Sequence, residues 1–165
     1  MNTLSPPQTG LLPQVTHPRN PGMALDLDWV ASVQANTSAI ERRAATLPGR
    51  RSVKKDYQAA WLLKAISLID LTTLSGDDTA GRVQRLCAKA RQPVAPWMLE
   101  RLGMQGLTTG AVCVYHEMVE TAVRALEGTQ IPVAAVSTGF PAGLSPYRLR
   151  IAEIGESVKA GAKEI

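Results

Sequence analysis

The chain has 165 residues, 45% hydrophobic and 19% charged, with a net charge of +4 at neutral pH. This fits one soluble globular domain, and with aromatic residues at only 4% its core must be aliphatic. No stretch approaches the length of a membrane-spanning helix, and the opening MNTLSPPQTGLLPQ reads neither as a secretory signal nor as a transit peptide, so the default expectation is a cytoplasmic protein with no membrane partner. Cys87 and Cys113 stand in apolar contexts and read as free buried thiols of a reducing compartment, not as a disulfide framework.

Residues 1–24 carry Pro6, Pro7, Pro13, Pro18 and Pro21, a density that predicts a flexible tail. Asp26 or Asp28 can cap a helix with a partial apolar stripe of Trp29, Val33, Ala39 and Ile40, ending near Leu47 before Pro48-Gly49. A basic linker follows: Arg50, Arg51, Lys54 and Lys55, beside Arg42 and Arg43. Such a cluster attracts phosphate or nucleic acid in principle. With no aromatic residue interleaved beyond Tyr57, it reads instead as solvated, and nucleic acid is not an expected partner. Residues 25–55 are thus an N-terminal helix and basic linker.

From residue 56 the texture is that of an α/β protein. A helix is expected over Asp56–Ala65, then a strand in SLIDLTTL, short and apolar at both parities as a strand covered on two sides should be. After the turn SGDDT, a helix places Val83, Leu86, Cys87 and Ala90 at i, i+3, i+4 and i+7. A short helix runs from Pro96 to Leu102 with Gly103 beyond its end. TTGAVCVY is the second strand, HEMVETAVRALEG a helix with Met118, Ala122 and Leu126 on one face, IPVAAVSTGF the third strand, and YRLRIAEIGESVKAG a helix with Ile151, Ile154 and Val158. AKEI begins a further extended segment. This order predicts parallel strands joined by helical crossovers, in a closed barrel or an open doubly wound sheet. No GxGxxG follows a strand, which weakens the dinucleotide-binding version.

Alternation puts Asp70, Thr72 and Leu74 on one face of the first strand and Ile69 and Leu71 on the other. On the second strand Ala111, Cys113 and Tyr115 oppose Val112 and Val114. The apolar faces suit helix packing; the mixed faces suit an interior that turns polar toward one mouth. A carboxylate inside SLIDLTTL sits where desolvation is costly, so Asp70 is either a functional group or one satisfied by amides or an arginine. Cys113 is a candidate thiol of the same interior, set against the commoner small buried cysteine. His116 has no evident partner and reads as a surface-loop histidine; with His17 in the tail, no metal site is expected. A Schiff-base lysine needs a desolvated or cation-flanked position. Lys54 and Lys55 lie in the charged linker, Lys64, Lys89 and Lys159 on helices, and Lys163 at the start of the fourth strand, so none is a good nucleophile.

LIDLTTLSGDDT (68–79), AVCVY (111–115), IPVAAVSTGFPAG (131–143) and RLRIAEIGESVKAGAKEI (148–165), in this order, resemble deoxyribose-phosphate aldolase, especially its longer members with an extended N-terminus. The resemblance covers residues 56–165. It implies the N-terminal part of a (β/α)8 TIM barrel, about three and a half βα units, behind an N-terminal helical extension. It also implies class I chemistry: reversible cleavage of 2-deoxyribose 5-phosphate to acetaldehyde and glyceraldehyde 3-phosphate through a lysine Schiff base, with no metal or organic cofactor. By the same likeness Asp70 contacts a substrate hydroxyl, Thr72 and Leu74 line that wall, Cys113 lies near the aldehyde site, and Phe140 is the aromatic ending the third strand. The family's relay aspartate, Schiff-base lysine and phosphate-binding loops belong to strands beyond Ile165, and His116 stands where the family often has Pro. The expectation is therefore a fragment inactive alone. The alternative is a non-catalytic half barrel that binds or assembles, with a second copy or a complementing C-terminal half as partner.

Overall fold

The computed structural model describes residues 23–50 and 52–165. Residues 1–22 and Arg51 lie outside them, and with them nearly all of the Pro-rich segment, His17 and one arginine of the basic cluster. The chain divides into two compact units, Met1–Arg51 and Ser52–Ile165.

In the first unit, the single helix expected from Asp26 to Leu47 is two. Asp26 caps α1 (Leu27–Ser32) by accepting from the Trp29 amide at 2.9 Å, and the extended backbone of Val33 stops the helix. Asn36 then accepts from the Ala39 amide at 3.0 Å and starts α2, Thr37–Arg50. An Asx side chain offers the backbone a cap wherever it falls, so a second cap makes a second helix. Helix α2 runs through Pro48-Gly49 where the sequence predicted its end, although Pro48 has no amide to bond the carbonyl four residues back.

The second unit begins with α3 (Lys55–Ile66), which takes Lys55 out of the expected linker. Three strands follow: β1 (Asp70–Thr72), β2 (Ala111–Tyr115) and β3 (Val133–Val136), joined by α4 (Ala80–Arg91), α5 (Pro96–Arg101) and α6 (Val119–Ala125). Helix α7 (Tyr147–Lys159) follows β3. The sheet is parallel, in the order β1-β2-β3. Asp70 pairs with Ala111, Thr72 with Cys113, Cys113 with Ala134, and Tyr115 with Val136. AKEI adds its first pairing to the same edge, with a parallel bridge between Ala134 and Glu164.

The strands are shorter than the apolar runs that contain them, because neighbouring amides are already engaged. Those of Leu68 and Ile69 bond to the carbonyls of Ala65 and Ile66 at the end of α3. That of Thr109 goes to the Ala90 carbonyl at the end of α4. Thr138, at φ 61°, turns the chain out of β3. The helix expected over 116–128 also begins differently, as a 3₁₀ turn at His116–Met118, and α6 ends at Ala125.

The core lies on one side of the sheet. Val112 and Val114 of β2 and Val133 and Ala135 of β3 meet Val83, Cys87 and Ala90 of α4 and Val119 and Ala122 of α6, with Leu71 and Leu86 partly buried beside them. Helices α4 and α6 pack against each other across this side. Ile69, expected there too, is 41% exposed and precedes the strand. Among the described residues no helix is long and apolar enough to cross a membrane.

Candidate functional site

Parallel register places Asp70, Thr72, Ala111, Cys113, Ala134 and Val136 on the sheet face turned away from the core. Asp70 and Cys113 line one cleft of about 370 Å³ with Val136, Ser137, Phe140 and Glu164. Asp70 is exposed, which corrects the expectation of a costly buried carboxylate: among the described residues nothing covers this face of β1. Thr72 turns its hydroxyl back to the Asp70 carbonyl, donating at 2.8 Å. Leu74 lies past the end of β1, partly buried and outside the cleft lining, because the strand stops before the alternation reaches it. Phe140 is 45% exposed at the mouth, its ring 6.3 Å from that of Tyr115 and tilted by 60°.

Both cysteines are free; Cys87 is buried as expected, whereas Cys113 is half-buried. Burial pushes the Cys113 thiol up, with Asp70 and Glu164 adding to the rise and the Thr72 hydroxyl and Val136 backbone opposing it. A thiol raised in this way stays mostly protonated at neutral pH, which lowers its thiolate fraction. None of the lysines among the described residues lines the cleft, and no group of three His, Cys, Asp or Glu side chains there could hold a metal ion.

The loop after β1 is tied by Asp78. Its carboxylate accepts from the Thr73 hydroxyl at 2.9 Å and from the Ser75 amide at 3.0 Å, and lies 3.2 Å from Arg82, which also pairs with Asp77 at 3.0 Å. Burial alone would raise this carboxyl, but the bonds from Thr73, Ser75 and Arg82, with the Arg82 charge, together hold it below the ordinary value of 3.8. Its stabilising contribution is therefore fully present above pH 3.8 and is lost as pH falls through the native value. Asp78→Asn keeps an acceptor but loses the charge. It should lower the thermal midpoint at pH 7, with the gap from the unsubstituted chain narrowing below pH 3.8. An equal gap at both ends of a pH series of melts would assign the loss to packing instead.

His116 is not the partnerless loop histidine expected. Its ring lies 3.4 Å from Glu117 and 3.7 Å from Glu153 of α7, whose other oxygen accepts from the Gly139 amide at 2.7 Å. Glu153 was not singled out in the sequence. It looks like any polar residue of an amphipathic helix, and its partners are 37 and 14 residues away.

No protein-family model matches the chain. Over 148 residues it is 55% identical to the deoxyribose-phosphate aldolase of Mus musculus, an alignment covering 87% of this chain and 46% of that protein. It is 52% identical over 150 residues to the deoxyribose-phosphate aldolase of Homo sapiens, covering 88% and 47%. Among solved structures, one described as a "putative deoxyribose-phosphate aldolase from Coccidioides immitis" superposes with a TM-score of 0.51 at 24% identity, over 86% of this chain and 47% of that one; this likeness speaks for the fold alone. The chain spans about half the length of the curated relatives it matches. In sequence, it is homologous to the N-terminal portion of the deoxyribose-phosphate aldolases.

Proposed function

We propose that this chain supplies the substrate-binding wall of a class I deoxyribose-phosphate aldolase. The β1-β2-β3 sheet forms the first strands of a (β/α)8 barrel, and residues 25–55 form an N-terminal extension to it. Two features support the barrel over a doubly wound sheet. The strands are in sequential order, and α4 and α6 pack on one side only, whereas a doubly wound sheet carries helices on both faces. The open face is then the interior, and the cleft faces a 2-deoxyribose 5-phosphate. The observation that carries the reading is the meeting of Asp70 and Cys113 in one cleft with Phe140 at its mouth, in a chain 52–55% identical to aldolases of this name.

In this reading Asp70 receives a substrate hydroxyl, Thr72 keeps the Asp70 backbone in place, and the neutral Cys113 shapes the wall beside the reacting aldehyde. The amine that forms the Schiff base comes from a segment other than this one, and no metal or organic cofactor takes part. The protein works in the cytoplasm. Incubated with acetaldehyde and borohydride, the 165-residue chain should give no lysine adduct by intact mass. Co-expressed with the C-terminal half of the Mus musculus relative, it should release acetaldehyde from 2-deoxyribose 5-phosphate. In that assembly Asp70→Asn should lower kcat/KM by about 10- to 100-fold, the loss of one hydrogen bond to a charged group. A stoichiometric adduct on the chain alone, or an unchanged kcat/KM for the variant, would overturn these roles.

A further inference from the structure

Loop 137–143 carries Phe140 to the mouth of the cleft, yet its backbone is of a kind that does not hold itself. Thr138, Gly139 and Gly143 all lie in the left-handed region, at φ 61°, 73° and 67°. For Thr138 in particular this conformation is disfavoured and persists only where the surroundings impose it. Within the loop the Gly143 amide donates to the Gly139 carbonyl at 2.8 Å and the Thr138 hydroxyl to the adjacent Ser137 carbonyl at 2.7 Å, and neither engages the Gly139 amide. The restraint from outside is Glu153. Its side chain, mostly buried, reaches from α7 and accepts from the Gly139 amide at 2.7 Å. A carboxylate acceptor at that distance makes a stronger bond than a neutral one. The other carboxylate oxygen lies 3.7 Å from His116 Nδ1, an atom with no exposed surface and no hydrogen-bond partner. One carboxylate is therefore bonded to the loop that follows β3 and lies beside the residue that follows β2.

We propose that Glu153 is a positioning residue, whose carboxylate anchors the Gly139 amide and thereby seats Phe140 at the cleft mouth. Phe140 follows Gly139 directly, so freedom at Gly139 becomes displacement of the ring away from Tyr115. Glu153 touches no substrate in this arrangement. Its effect on the reaction is to keep one wall of the cleft preorganised, which favours binding over the chemical step. The consequence for the reaction rests on the aldolase reading; the anchoring itself does not.

Amide hydrogen exchange on the 165-residue chain tests it, with Glu153→Ala, Glu153→Gln and Glu153→Asp compared with the unsubstituted protein. Loss of the acceptor in Glu153→Ala should speed exchange at Gly139 by about 10- to 100-fold while the amides of Val112–Val114 keep their protection. Glu153→Gln retains a neutral acceptor at the same reach, and its exchange at Gly139 should fall between the unsubstituted rate and that of Glu153→Ala. Glu153→Asp keeps the charge but draws the acceptor back by one methylene, and should resemble Glu153→Ala. Unchanged exchange at Gly139 in Glu153→Ala and Glu153→Asp overturns the proposal, and so does an equal acceleration at Val112–Val114, which would mark Glu153 as a general stabiliser. In the complemented enzyme, Glu153→Ala should raise KM with kcat within about twofold, as expected for lost positioning; a fall in kcat with KM unchanged overturns the consequence drawn here. If the unsubstituted assembly cleaves no 2-deoxyribose 5-phosphate, the aldolase reading fails, and the exchange rates still decide the anchor.

Discussion

Val114→Asp should leave the 52–165 unit without a cooperative thermal transition. Val114 is fully buried in β2, within the valine and alanine layer shared by β2, β3, α4 and α6. Among the described residues the largest fully buried side chains are valines: Val83, Val112, Val114 and Val119. A core of such small side chains has little in reserve. Each buried valine contributes about 1.5–3 kcal/mol, and domains are stable by only about 5–15 kcal/mol in total. An unpaired carboxylate at Val114 costs several kcal/mol, either as a buried charge or as the proton uptake that avoids one, in addition to the lost burial. Circular dichroism melts should show a broad, low-amplitude change in place of a transition. Val114→Ala, which removes two methyl groups without adding charge, should cost about 2 kcal/mol and keep the transition. Cys113→Ser, one residue away on the opposite face, should change stability by less than about 1 kcal/mol. A cooperative melt for Val114→Asp near that of the unsubstituted chain would mean that β2 does not face α4 and α6.

Gly139→Ala should destabilise by about 2–4 kcal/mol, through two separable causes. The first is conformational. Gly139 sits at φ 73°, where an L residue with a Cβ pays about 1–2 kcal/mol. The second is steric: a Cβ at Gly139 would run into Ser145 Oγ. With that oxygen removed, the nearest atom of Ser145 is its Cβ at 3.5 Å, an ordinary contact. Gly139→Ala combined with Ser145→Ala should therefore recover the steric part and leave about 1–2 kcal/mol. Denaturant melts of the two single variants and the double variant give the coupling directly. Strict additivity would show that the collision is evaded, by rotation of the Ser145 hydroxyl or by movement of the loop. Only movement of the loop would take the ring of Phe140 from its place beside Tyr115, visible as a change in the Tyr115 ring resonances.

Local patterns in the chain already determined the α/β order, the approximate place of all three strands, a helix cap at Asp26 or Asp28, the start of a helix at Pro96, and the opposition of Val112 and Val114 to Cys113. They did so because strand periodicity and helix capping are set by neighbours a few residues away. The same local text carried the likeness to deoxyribose-phosphate aldolases, and with it Asp70, Cys113 and Phe140 as cleft candidates. Only the tertiary structure decided where β2 begins, since that depends on the Thr109 amide being taken by the Ala90 carbonyl at the end of α4. It alone decided that Asp70 is exposed and that Leu74 falls outside the cleft. Above all, it alone joined His116, Gly139 and Glu153. A side chain's own periodicity says which face it occupies, but the partner on that face comes from a distant segment, and its identity is settled only when the crossovers bring the strand ends and α7 together.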